Sequence, residues 1–99
     1  MITRATLIHR SKISYPDGAI REMVLWQLSR PDKDRPHGVK YRFYYGLVDG
    51  TCLLKYDNEI GKGDHKHIED QEEPYNFSSI DQLFEDFFTD IKKLRDHRR

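Results

Sequence analysis

The chain has 99 residues, of which 36% are apolar, 34% charged and 12% aromatic, and its 17 basic residues balance 17 acidic ones. That length leaves no material for a second hydrophobic core, so one domain over residues 1–99 is expected, and the aromatic content excludes a disordered chain. A single cysteine, Cys52, excludes an internal disulfide, and neither an apolar run of about 18 residues nor a signal-peptide core is present, so a cytoplasmic protein without a membrane span is expected.

Residues 4–13 alternate loosely between apolar and polar positions with β-branched residues, and the Pro16-Asp17-Gly18 turn follows them; this is the pattern of a strand and a tight turn. Residues 19–29, with Ile20, Val24, Trp26 and Leu28 on one parity, fit the second arm of a hairpin. Two prolines and a glycine make residues 30–38 a charged loop, for which mobility is expected. Over residues 39–48, Val39, Tyr41, Phe43, Tyr45 and Leu47 alternate with Lys40, Arg42 and Tyr44, a half-buried strand with a cationic and aromatic outer face. Asp49-Gly50 supports a tight hairpin into a fourth strand at 51–57, and residues 65–69 are short enough for a fifth strand or an extended edge.

From Ile80 onward the pattern changes. Ile80, Leu83, Phe84, Phe87, Phe88, Ile91 and Leu94 form one apolar stripe at helical spacing, so a helix over about 80–96 is expected. Ser79 with Gln82 makes a capping box, and Lys92, Lys93 and Arg95 lie where the macrodipole favours cations. The resulting fold class is α+β: an antiparallel sheet of four to five strands with one long C-terminal amphipathic helix packed on one face. Charge is also segregated, with residues 1–45 at +5, residues 46–91 at −9 and residues 92–99 at +4, a pattern that suits an anionic ligand or a charge-complementary protein better than a membrane.

Chemistry concentrates in residues 55–70, KYDNEIGKGDHKHIED. On an extended strand His65 and His67 share a face, and two imidazoles there can act as base and acid in cleavage of RNA through its own 2′-hydroxyl. Lys62, Lys55 and Arg42 are the candidate cations for the phosphorane, and Asp57 is the candidate to orient an imidazole. Tyr41, Tyr44, Tyr45, Tyr56 and Tyr75, interleaved with cations, are candidates to stack bases, Tyr44 and Tyr56 foremost. Two other readings stay open. The His-x-His spacing also suits a metal, although no fourth ligand accompanies it. The histidines also read as polar loop residues bonded to neighbouring acids. His9, His37 and His97 are isolated in sequence and receive no role.

The order Leu54-Lys55-Tyr56-Asp57-Asn58, Gly61 to Asp64 and His65-Lys66-His67, followed by Glu-Glu-Pro and a Phe-Ser-Ser-Ile-Asp-Gln-Leu helix start, resembles the TumE family of small toxins from bacterial and archaeal toxin–antitoxin pairs. The resemblance covers about residues 5–95. It implies a cytosolic toxin encoded beside a helix-turn-helix antitoxin, with RNA as substrate by analogy with other toxins of this size, and it nominates the matching positions Tyr56, Asp57, Asn58, Lys62, Asp64, His65 and His67, with Asn58 and Asp64 in the substrate-binding set. The leading expectation is therefore a metal-independent endoribonuclease needing no cofactor, with His65, His67, Asp57 and Lys62 catalytic. A metal-dependent nuclease is one alternative. The other is a non-catalytic module binding a protein through acidic surfaces at 69–73 and 85–90.

Overall fold

The computed structural model describes residues 4–59 and 61–97; residues 1–3, 60, 98 and 99, at the ends of the expected domain and at one loop position, lie outside the described residues. Six strands, β1 (Ala5–Ser14), β2 (Ile20–Leu28), β3 (Val39–Gly46), β4 (Cys52–Asp57), β5 (His65–Ile68) and β6 (Gln71–Pro74), precede helix α1 (Ile80–His97). All neighbouring strands pair antiparallel in the order β1-β2-β3-β4-β5-β6. The α+β class and the C-terminal helix are as the sequence implies, but the sheet has six strands rather than four to five. The added strand is Gln-Glu-Glu-Pro, exposed at every position. It carries no apolar alternation to betray it, and its charges and Pro74 suit a sheet edge that must not recruit further strands. With β6 outside it, β5 is an internal strand and not the edge.

One face of the sheet makes the core. Met23, Leu25, Tyr41, Phe43, Tyr45, Leu54 and Tyr56 are buried there against Leu83, Phe87, Ile91 and Leu94 of the helix. In β2 the buried parity is thus Met23 and Leu25, whereas Ile20, Val24 and Trp26 are only partly buried. Their partners in β3, including Arg42 opposite Val24 and Lys40 opposite Trp26, show that they lie on the other face. Ser79 Oγ accepts the Gln82 N–H at 3.0 Å and caps the helix, while the Gln82 side chain donates to Asp86 at 2.7 Å instead of closing the box. At the other end Arg95 donates to Tyr45 Oη at 2.8 Å and pairs with Asp17 at 3.1 Å, fastening the last turns to the sheet and to the β1–β2 turn.

Residues 30–38, the expected mobile loop, are tied down. Arg35 is buried and grips Asp32 through Nε at 3.1 Å and Nη2 at 2.7 Å. Asp34 accepts the Gly61 N–H at 3.0 Å and His37 meets Asp64 at 2.8 Å, so this loop and the one before β5 brace each other. The helix leaves the opposite sheet face uncovered among the described residues, and that face carries the candidate site.

Candidate functional site

Antiparallel register brings the site residues into rows, because directly paired residues point to the same face. One row crosses the sheet as Arg42, Asp57 and His65; the next runs Tyr44, Lys55, His67 and Glu72. Six of the sequence candidates, Arg42, Tyr44, Lys55, Asp57, His65 and His67, therefore share the helix-free face. Glu72 of the unforeseen β6 joins them.

At its centre Asp57, whose side chain is only 3% exposed, lies 2.6 Å from His65 Nε2 and 3.1 Å from Lys55 Nζ. The His65 contact is an ion-pair approach rather than a well-directed hydrogen bond, for Asp57 Oδ1 accepts none. His65 Nδ1 donates to the Gly63 carbonyl at 3.0 Å, which leaves Nε2 facing the Asp57 carboxylate. Glu72 lies 3.6 Å from His65 Nε2 and 3.3 Å from His67 Nε2, bridging the two rings. His67 is the more open of them, its side chain 44% exposed against 14% for His65. Two positions apart on one strand, the two residues are about 7 Å apart along the backbone, and the Glu72 carboxylate stands between their rings.

Four candidates are not brought to this cluster. Tyr56 is buried on the helix side, donates to Asp90 at 2.5 Å and packs edge-on to Phe87. Burial and Asp90 push its phenol far above the usual tyrosine range. Asn58, fully buried, accepts the Tyr41 N–H at 3.1 Å and donates to the Val39 carbonyl at 2.7 Å, which ties the end of β4 to the start of β3. Asp64 is taken by His37, and Lys62 sits on an exposed loop, where it has no ion pair among the described residues. Among the described residues no group of three or more His, Cys, Asp or Glu side chains is arranged to hold a metal ion.

Two contributors escaped sequence reading. Glu72 could have been found by folding β5 back about the two-residue Glu69-Asp70 turn, which sets Glu72 opposite His67. His37 lies 27 positions from Asp64, and nothing local announces their contact. Its Nδ1 accepts the Val39 N–H at 3.1 Å, so Nε2 carries the proton given to Asp64, and its ring stacks on Phe77 at 4.0 Å. That pin holds the loop whose Gly63 carbonyl orients His65.

No helix in the described residues is long and apolar enough to cross a membrane. No curated protein and no solved structure matches the chain. The family model described as toxin TumE does match, over residues 2–95. It spans both histidine rows and nearly everything that positions them, and by that match the chain belongs to the TumE toxin family, whose members imply an antitoxin partner.

Proposed function

We propose that this toxin is an endoribonuclease that cleaves RNA by metal-independent general acid–base chemistry on the helix-free face, and that its antitoxin is a helix-turn-helix protein. The observation that carries the reading is the His65–Asp57 unit set beside an open His67 on the same strand face. His67 Nε2, reachable from solvent, takes the proton of a 2′-hydroxyl as that oxygen attacks phosphorus. His65, its Nε2 set beside the Asp57 carboxylate, gives a proton to the departing 5′ oxygen. The 2′-O–P bond forms as the P–5′-O bond breaks, leaving a 2′,3′-cyclic phosphate and a 5′-hydroxyl, with one proton taken up and one released. Lys55, held at Asp57, and the exposed Arg42 beside it stabilise the charge that builds on the phosphoryl oxygens. Lys62 is a further cation for the phosphate, delivered by its loop.

The test is expression of the wild type, His65→Ala and His67→Ala without antitoxin, with growth, RNA integrity and product ends read together. Growth arrest, cyclic-phosphate ends that persist in chelator, and loss of both in either variant are expected; general acid or base groups contribute roughly 10²–10⁴-fold. Cleavage that stops in chelator would transfer the histidines to a metal-dependent nuclease. Arrest with intact RNA would remove the nuclease reading altogether.

A further inference from the structure

Beyond the histidine rows the helix-free face continues over β1 to β3, and among the described residues no element lies on top of it. Register places Trp26 and Lys40 side by side at one end, Arg10, Val24 and Arg42 across the middle, and Lys12, Glu22 and Tyr44 beyond them. Arg10, Lys40 and Arg42 are exposed. The acid on this stretch, Glu22, is within 3.9 Å of Lys12 and is partly balanced by it. The surface leading to the histidines is therefore cationic, and it feeds directly into the Arg42 row.

The aromatic groups on it are laid out for stacking. The outer end of the Tyr44 ring occupies the space of a side chain at Gly46, where a Cβ would stand 2.6 Å from Cζ. Because position 46 is glycine, the half-buried ring can lie along the strand over it. Next to it a shallow pocket of about 330 Å³ has Arg42 and Tyr44 in its lining together with Glu22 and the aliphatic Ile20, Val24 and Val48, the last 74% exposed. Trp26 carries the Lys40 ammonium 5.1 Å from its ring centre, an aromatic surface with a movable cation at hand. Strand and residue spacings put Tyr44 about 10 Å from His67 and about 14 Å from Trp26, spans of a few nucleotides of an unpaired strand.

We propose that this face is a single-stranded RNA platform: bases stack on Tyr44 and Trp26 while Arg10, Lys40 and Arg42 meet phosphates, and the strand is handed to His65 and His67. The inference rests on the ribonuclease reading for its last clause only. Stacking needs unpaired bases, since a duplex hides their faces, so the substrate class is single-stranded RNA and not duplex. The face also carries apolar residues, Leu7 beside Trp26 and Val24 and Val48 beside Tyr44, but its exposed charges are mainly cationic, which favours a polyanion over an apolar protein surface.

Trp26 is the chain's sole tryptophan, which gives a binding readout independent of cleavage. The experiment titrates His65→Ala/His67→Ala protein with a short oligouridylate, follows tryptophan fluorescence, and repeats the titration over a range of salt and with a duplex of equal length. Quenching by the single strand, at least tenfold weaker binding of the duplex, and affinity that falls with salt are expected. Tyr44→Ala and Trp26→Ala, the latter read by filter retention, should each weaken binding roughly tenfold, and Tyr44→Phe should bind like the parent. Arg10→Ala and Lys40→Ala should each reduce the slope of log K against log salt by about 0.7. Unchanged affinity in folded Tyr44→Ala, equal affinity for duplex, or quenching by purified antitoxin but not by RNA would overturn the platform. Binding as expected by a wild-type chain that cuts no RNA would sink the nuclease reading and leave the platform standing.

Discussion

At the scale of single residues the site depends on one buried carboxylate. Asp57 is shielded from water and lies against Lys55 and His65, so its charge is compensated only while both stay in place. Asp57→Asn keeps the shape and removes the charge that faces His65 Nε2. We expect the variant to remain folded by circular dichroism and to lose RNA cleavage by roughly 10²-fold or more; full activity would show that Asp57 only shapes the strand end. His37 acts one step further back. His37→Ala deletes the bond to Asp64 and the stack on Phe77, leaving a carboxylate that is 12% exposed and whose Oδ1 already lacks a partner. A loss of about 1.5–3 kcal/mol is expected from a hydrogen bond to a charged group, measured as a lower urea midpoint. The shared face of His65 and His67 was visible in sequence because a strand's period of two sets it, whereas Asp57 joins that face through the β4–β5 register. His37 was not, since its meaning comes from a contact between two loops.

At the scale of elements, legibility followed the apolar pattern. Helix α1 shows seven large apolar residues at helical spacing, and β3 alternates cleanly, so burial can be read directly from the order of residues. Strand β6 has nothing to bury and is held by pairing with β5 alone, which no pattern of side chains encodes. Tyr56 was misplaced for the complementary reason: its type suits either face, and only the register decides that it goes under the helix. The turn between β5 and β6 adds a cost, because Glu69 adopts a positive φ of 54° that favours glycine. Glu69→Gly should relieve strain of order 1 kcal/mol and raise the melting temperature by about 4–8 °C. An unchanged or lower melting temperature would mean that the side chain offsets its own backbone strain. Opposite in sign is Phe87→Ala. It empties the contact shared by Phe43 and Tyr56 and should cost about 3–5 kcal/mol, enough to threaten a fold whose total stability is typically about 5–15 kcal/mol.

At the scale of the whole molecule the two sheet faces are different environments, and this sets the response to pH. Beneath the helix three phenols must stay protonated: Tyr56 donates to Asp90, Tyr75 donates to Asp86 at 2.6 Å, and Tyr41 lies in the core near Asp64. Burial raises all three above the ordinary value of 10.0, and neighbouring carboxylates raise them further. A group that holds its proton more tightly when folded gives stability that is fully present below the unfolded-chain value and is lost as pH rises past it. The protein should therefore unfold cooperatively above about pH 10, with tyrosinate absorbance from these rings appearing together with loss of the circular dichroism of the sheet and helix. Tyr56→Phe removes one phenol while leaving Asp90 its contact with Lys66 at 3.3 Å, so it should shift the alkaline midpoint upward. A smooth titration of all tyrosines in a chain that stays folded would contradict this account of the core. The helix-free face holds none of these three rings, and although burial also raises the Tyr44 phenol there, a larger upward shift in Tyr56→Phe than in Tyr44→Phe would locate most of the pH sensitivity on the helix side of the sheet, apart from the surface that carries His65 and His67.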